Sequence, residues 1–153
     1  MTGVAADHPA RGLLARLKPI RHAGRYRFVA LEDPVSLPAE ACICLMREAE
    51  GLSAIVAVEH VPPGARVMDF PASWITLGVE SSLDGVGLTA AVAQRLADAG
   101  IACNVVAAIH HDHLFVPEAD ADRAMAELCA LQQAAARAGD IAGETTATRT
   151  TPA

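Results

Sequence analysis

The stretch from Ile75 to Pro117 reads ITLGVESSLDGVGLTAAVAQRLADAGIACNVVAAIHHDHLFVP and contains three periodicities in succession. Apolar residues alternate with the others from Ile75 to Val79, which is the spacing of a strand. The apolar face of a helix follows, formed by Leu88, Ala91, Val92, Leu96 and Ala99. Alternation returns from Ile101 to Ile109, and another short apolar run begins at Leu114. The order predicted for this stretch is strand, helix, strand, strand.

The joint between the first of these strands and the helix has the composition of a binding loop for a small ligand. Its glycines allow a ligand to approach the backbone closely. The first N–H groups of the helix lack a partner within the helix and suit a carboxylate, while Asp84 suits an ammonium group. The alternative is that Ser82 or Asp84 only caps the helix and that the glycines only form the turn. The candidate ligand-binding residues in this loop are Ser81, Ser82, Asp84, Gly85, Val86, Gly87, Leu88 and Thr89.

Asn104 interrupts the apolar strand that follows the helix. The other residues expected on its face of the strand are small, namely Ala102, Val106 and Ala108. Small residues around one amide leave space for a ligand. The alternative is a hydrogen bond to a neighbouring loop, which a buried amide needs in any case.

These segments resemble the ACT domain, a βαββαβ module that binds amino acids and other small metabolites and regulates a partner protein. More narrowly, SSLDGVGLTAAVA (81–93), IACNVVA (101–107) and HDHLFVP (111–117) resemble a group of small bacterial proteins with two ACT-like halves. That group is related to the ACT repeats of the CASTOR arginine sensors. The segment MREAEGLSAIV (46–56) is similar to the first half of the group, and the resemblance covers about residues 13–131.

The resemblance implies an α+β protein of two ferredoxin-like βαββαβ halves, the first degenerate, with antiparallel sheets and helices on one face. It implies a degenerate ACT-like half at 11–71 and an ACT domain at 72–138. ACT domains bind amino acids at the loop after their first strand and line the cleft with their second strand. The resemblance therefore adds Asn104, Val105 and Val106 to the candidate ligand contacts. The function implied is non-catalytic, regulatory binding of an amino acid, without a cofactor.

The chain departs from a complete pair of ACT modules in two respects. Its first half lacks a proper first helix, and its second half lacks an obvious strand after Ala135. We expect a strand from the first half or from a second chain to fill that edge, because an open edge invites aggregation. This favours pairing between halves or a homodimer. Residues 1–10 and 139–153 are polar or small and are predicted to be disordered, with the last helix ending at Gly139.

Composition excludes several classes of function. The chain has 153 residues, a net charge of -6 and 3% aromatic residues, which argues against binding of nucleic acid. No run of about 18 apolar residues is present for a membrane helix, and the beginning of the sequence lacks the pattern of a signal peptide. We expect a cytoplasmic protein with an aliphatic core. No catalytic motif is present, so an enzyme is not predicted.

The cysteines and histidines leave one alternative open. Cys42, Cys44, Cys103 and Cys129 show no metal-binding spacing and are interpreted as small buried apolar residues. His110, His111 and His113 form a cluster that suggests a metal sensor. Their position at a tight turn makes their side chains diverge, and Asp112 is expected to bond its own backbone there. A further alternative is a structural or interaction protein that kept the fold without a ligand.

Overall fold

The computed structural model describes residues 9–31 and 37–147, with side chains described as far as residue 138. Its helices are α1 (Arg11–Leu14), α2 (Leu88–Asp98) and α3 (Ala121–Ala147). Its first strands are β1 (Ile20–Arg21), β2 (Tyr26–Leu31), β3 (Cys42–Glu48) and β4 (Gly51–Ala57). The remaining strands are β5 (Arg66–Val67), β6 (Ala72–Thr76), β7 (Asn104–Ala107) and β8 (Asp112–Pro117). No described helix is both long enough and apolar enough to cross a membrane.

The strands form one antiparallel sheet in the order β3-β4-β2-β6-β8-β7, with β5 beside β2 and β1 beside β6. The α+β class with antiparallel pairing and helices on one face is thereby confirmed. The two halves do not form separate sheets, because Tyr26 of β2 pairs with Ala72 of β6. One continuous sheet therefore runs through both halves.

Strand β1 occupies the place of the strand that the second half lacks. It pairs with β6 through Ile20 opposite Thr76 and Arg21 opposite Ile75. Arg21 also forms an exposed ion pair with Asp122 of α3 at 2.8 Å, so β1 contacts the helical layer. Together with β6, β8 and β7, this strand completes the order of a four-stranded ferredoxin-like sheet. The expectation that the first half supplies the missing edge is confirmed.

The first half has the same strand order with turns in place of helices. Its strands lie in the order β5-β2-β4-β3. In the described residues, a 3-10 turn at Ala39–Ala41 precedes β3, and another at Val58–His60 follows β4. Leu37, Val61 and Ala65 pack on the sheet where helices would otherwise lie. The first half is thus degenerate, as predicted, in its helices and not in its strands.

The two faces of the sheet differ in composition. The helices pack on an aliphatic face whose members include Ile75, Leu77 and Leu114. The opposite face, which we call the aromatic face, carries all five aromatic residues of the chain: Tyr26, Phe28, Phe70, Trp74 and Phe115. An aliphatic core was predicted, and this holds for the helical side. Alternation along β6 and β8 sends neighbouring residues to opposite faces and so separates the two sets.

Three predictions about local structure are wrong. Helix α3 continues through Gly139 and Gly143 to Ala147, because each glycine costs a helix only about 1 kcal/mol. Disorder therefore does not begin at residue 139, while residues 148–153 lie outside the described part. Ala10 is buried in the helical core, so the predicted disorder at 1–10 does not reach it, and residues 1–8 lie outside the described part. Cys129 is exposed, since it lies off the apolar stripe of α3. The division of the halves at 11–71 and 72–138 remains a prediction.

The end of β6 is fixed by a close backbone contact at Gly78. This residue has a φ of 62°, and a Cβ atom there would lie 2.2 Å from the carbonyl oxygen of Lys18. The N–H of Lys18 donates to the carbonyl of Leu77 at 3.1 Å, so the segment between α1 and β1 lies directly against this glycine. Any side chain at position 78 would displace that segment.

We expect Gly78→Ala to lower the free energy of unfolding by about 3 kcal/mol or more, through backbone overlap and a left-handed φ. Gly100→Ala is the matched control, because Gly100 has a φ of 70° but nothing within 4 Å of its added Cβ. The control should lose about 1 kcal/mol. Urea unfolding of both variants measures the difference, and equal losses would contradict the importance of the Lys18 contact.

Candidate functional site

The loop after β6 leaves the N-terminus of α2 without a side-chain cap. The N–H of Gly85 donates to the carbonyl of Ser82 at 2.9 Å, and the hydroxyl of Ser82 donates to the carboxylate of Asp84. Gly87 is the N-cap residue, with a φ of 100°, and no side chain bonds the helix there. The alternative that Ser82 or Asp84 caps the helix is therefore wrong. The first N–H groups of α2 remain available to an anion.

A small cavity of about 60 Å³ lies beside this loop. Its volume equals about two water molecules, so it accommodates a charged head group and not a whole amino acid. The residues that line it come from α1, the loop, α2 and the ends of β7 and β8: Leu13, Ser81, Ser82, Leu83, Gly85, Leu88, Thr89, Ala107 and Asp112.

A wider, open groove of about 1140 Å³ adjoins the small cavity. Ser81, Ser82 and Leu83 line both spaces and so form their common wall. The groove also carries Arg16, Lys18 and Glu80, which place charges of both signs around it. The two spaces together have room for a head group and a side chain.

Asp112 is the site residue that sequence reasoning missed. It is 5% exposed and begins β8, and its Oδ2 accepts a hydrogen bond from the hydroxyl of Thr89 at 3.2 Å. The expectation that it bonds its own backbone in a turn is wrong, because β8 starts at this residue and turns its side chain toward α2. A signal was present in the sequence, since a carboxylate on the same face of a strand as the apolar residue two positions later needs a partner when it is buried.

The structure does not bring Asn104 to this cavity. Asn104 lies opposite Phe115, whereas Ala107, three residues further along β7, lines the cavity. Three residues of strand span about 10 Å. Val105 packs toward the helical core, and Val106 packs against the aromatic face. Alternation and strand length thus separate these three residues from the small cavity within a single chain, and their role as ligand contacts remains a prediction.

The rim of the site is unusually apolar. Leu83, Val86 and Ile109 are between 71% and 74% exposed. Leu83 and Val86 belong to the loop before α2, and Ile109 belongs to the turn between β7 and β8. Asp84 is exposed as well and is held by Ser82, so it lies in solvent and away from the cavity lining. The loop thus presents its aliphatic side chains outward.

The three clustered histidines point to three different places. His110 lies 4.0 Å from the carboxylate of Glu80, and Nδ1 of His111 lies 3.1 Å from the carbonyl of Val79. His113 turns to the aromatic face and contacts Trp74. In the described residues, no group of three histidine, cysteine or carboxylate side chains is placed to hold a metal ion. The geometry therefore gives the metal-sensor alternative no support.

His113 belongs to a polar network that connects the halves on the aromatic face. The indole N–H of Trp74 donates to Nδ1 of His113 at 3.1 Å. Since an indole can only donate, this nitrogen is an acceptor, and the hydroxyl of Thr76 also donates to it at 3.0 Å. The same hydroxyl then accepts from Nε2 of His22 at 2.7 Å, and the His22 ring stacks on Trp74 with centroids 3.7 Å apart. Nδ1 of His113 is therefore unprotonated in this arrangement, and its imidazole is neutral.

Burial disfavours the charged form of the two histidines in this network and of Cys103. It lowers the pKa of His22, and it is the largest cause of the lowered pKa of His113, to which His22 and His111 also contribute. Asp112 opposes the shift at His113. Burial raises the pKa of the Cys103 thiol to about 11, so this cysteine stays protonated and unreactive.

Comparison with known proteins specifies the class to which a sheet of this topology belongs. Residues 69–130 and residues 11–61 each match an ACT domain family model. The chain belongs to the ACT-domain family and carries two ACT domains in tandem. ACT domains are regulatory modules that bind small molecules. No functionally curated protein matches the chain.

Solved structures agree with this assignment. A Vibrio cholerae protein of unknown function, described as a possible transport protein, is 34% identical with a TM-score of 0.72, covering 84% of this chain and 99% of that one. An Agrobacterium tumefaciens protein is 24% identical with a TM-score of 0.64, covering 76% and 90%. The ligand-free regulatory subunit of aspartate kinase from Thermus thermophilus shares the fold at 12% identity and a TM-score of 0.51, covering 74% and 95%.

The histidine network predicts a stability that depends on pH. The folded pKa values of His22 and His113 lie below the ordinary value of 6.5, so the unfolded chain binds protons more readily. The melting temperature should therefore be constant above about pH 7 and fall as the pH drops below about 6.5. Thermal unfolding monitored between pH 8 and pH 5 measures this fall.

The variant His113→Gln should show a smaller fall than the wild type, since glutamine accepts the Trp74 hydrogen bond without titrating. His60→Gln, at an exposed position, is the control and should behave as the wild type. A fall of equal size in all three proteins would show that the network does not control the titration.

Proposed function

We propose that this chain is a non-catalytic regulatory protein that binds a free amino acid at the cavity beside the loop Ser81–Thr89. The observation that carries the proposal is the uncapped N-terminus of α2 opening onto that cavity. The unpaired N–H groups and the helix dipole attract a carboxylate. The adjoining groove has room for the rest of the ligand.

Ligand binding at this position would act on the contact between the halves. Leu13 of α1 lines the cavity together with Thr89 of α2, and α1 precedes β1, the strand that crosses to the second half. A ligand held there favours the arrangement in which α1 is docked on α2. This is a shift of population toward one arrangement, which a partner protein can recognise. The same proposal places the protein in the cytoplasm, where cysteines remain reduced.

We further propose that the chain forms a homodimer through the outer edge of β3. Strands β3 and β7 end the sheet, and the outer edges of both are unpaired in the described part of the chain. Leu45 and Met46 on β3 are 53% and 57% exposed and point to opposite faces. An edge with apolar side chains on both faces favours pairing with another strand.

Light scattering should give twice the chain mass of 15.9 kDa for the wild type. The double variant Leu45→Lys with Met46→Lys should be monomeric, because lysine on an edge strand opposes pairing. Val58→Lys with Val67→Lys changes two exposed apolar residues away from β3 and should leave the dimer intact. A monomeric wild type would contradict the dimer.

The proposed ligand class can be tested with the purified protein and the twenty amino acids. A ligand at 100 times its dissociation constant adds about 2.7 kcal/mol, which corresponds to about 5 to 10 °C in melting temperature for a chain of this size. We expect one amino acid, or a small group with related side chains, to produce such a shift. No shift from any of the twenty would contradict amino acid binding and would favour an interaction protein.

A matched pair of variants locates the site. Ala107→Leu adds volume where Ala107 lines the small cavity and should abolish the shift. Ala102→Leu makes the same change at an exposed position before β7, and it should leave the shift unchanged. A shift that survives Ala107→Leu would place the ligand elsewhere.

A further inference from the structure

We propose that Asp112 binds the ammonium group of the ligand, so that the cavity selects α-amino acids over hydroxy and keto acids with the same side chain. This inference rests on the proposed function and adds to it a residue and a ligand chemistry. It also replaces Asp84, to which sequence reasoning had given the ammonium group.

The environment of Asp112 is suited to binding a cation. Its side chain lines the small cavity and is 5% exposed, and the hydroxyl of Thr89 is its hydrogen-bond donor at 3.2 Å. None of the ion pairs found among the described residues includes Asp112. A carboxylate removed from water without a cationic partner is costly. An ammonium group that enters the cavity therefore gains a strong, poorly screened attraction.

Thr89 brings the two binding elements together. Its backbone N–H belongs to the uncapped first turn of α2, and its hydroxyl binds Asp112. Thr89 thus places the N–H donors for a carboxylate beside Asp112, the acceptor for an ammonium group. An α-amino acid carries both charged groups on one carbon and can engage both elements at once. A hydroxy or keto acid would supply the carboxylate and leave Asp112 without a cation.

Asp84 lacks these properties. It is exposed, and its carboxylate accepts from the hydroxyl of Ser82 in the loop. Water screens a charge at such a position, so an exposed pair contributes little. Asp84 is therefore the natural control for Asp112, since both are aspartates that accept a hydroxyl hydrogen bond near the same cavity.

The test is calorimetric titration of the wild type, Asp112→Asn and Asp84→Asn. Each protein is titrated with the amino acid that gives the largest thermal shift and with the α-hydroxy acid that has the same side chain. We expect Asp112→Asn to bind the amino acid about 30-fold more weakly or worse, because one partner of a buried charge pair is lost. Asp84→Asn should stay within about threefold of the wild type. The wild type should prefer the amino acid, and Asp112→Asn should lose that preference.

Two results would overturn the inference. One is an Asp112→Asn variant that keeps the affinity and the preference for the amino acid. The other is an Asp112→Asn variant whose melting temperature falls while its preference is unchanged, since Asp112 would then serve only the helix dipole.

A second measurement separates this inference from the proposed function. If no amino acid binds the wild type, the amide resonances of Thr89 and Asp112 are followed during titration with methylammonium. Shifts in the wild type that are absent in Asp112→Asn keep the ammonium site, although the proposed function has failed. Absence of shifts in both proteins overturns the ammonium site as well.

Discussion

A single antiparallel pairing through the middle of the sheet holds the two halves together. Ile20 lies opposite Thr76 at one end, and Tyr26 lies opposite Ala72 at the other. Strands β1 and β2 of the first half thus run along β6, and the first half lends its short strand β1 to the second half. The second half does not complete its four strands without β1, so the halves are expected to unfold as one unit.

The candidate site is a consequence of that pairing. Because β1 must lie beside β6, the segment before it crosses the end of β6, where Gly78 admits the carbonyl of Lys18. This crossing places α1 against α2 and α3, and the side chain of Gln132 on α3 donates to the carbonyl of Ala15 at 2.8 Å. Leu13 then closes one side of the cavity beside Thr89. The small size of the cavity follows from a helix contributed by the first half.

Local patterns in the sequence, together with the resemblance to ACT domains, were sufficient for the fold class and the loop, and insufficient for the cavity. Alternation and helical spacing between Ile75 and Pro117 predict the order of the four elements, because each pattern is decided by its own residues, although β6 ends at Thr76 and not at Val79. The partners of Asn104 and Asp112 depend on how far each residue lies along its strand, which no local pattern specifies. Ala107 of β7 lines the cavity, whereas Asn104, three positions earlier on the same strand, does not. The position of β1 likewise depends on a pairing between residues that are more than 50 positions apart.

The contact between Thr89 and Asp112 has opposite effects on stability and on binding. A carboxylate near the N-terminus of α2 is favourable to the helix dipole, yet its burial at 5% exposure removes it from water. The same negative charge would repel the carboxylate of a simple acid from the first turn of the helix. The zwitterion proposed as the ligand would resolve both effects, since its ammonium group would neutralise Asp112 while its carboxylate would bind the free N–H groups. The buried carboxylate of Asp112 therefore costs stability in the protein without a ligand. An ammonium group would remove that cost, so a ligand that carries one would stabilise the protein when it binds.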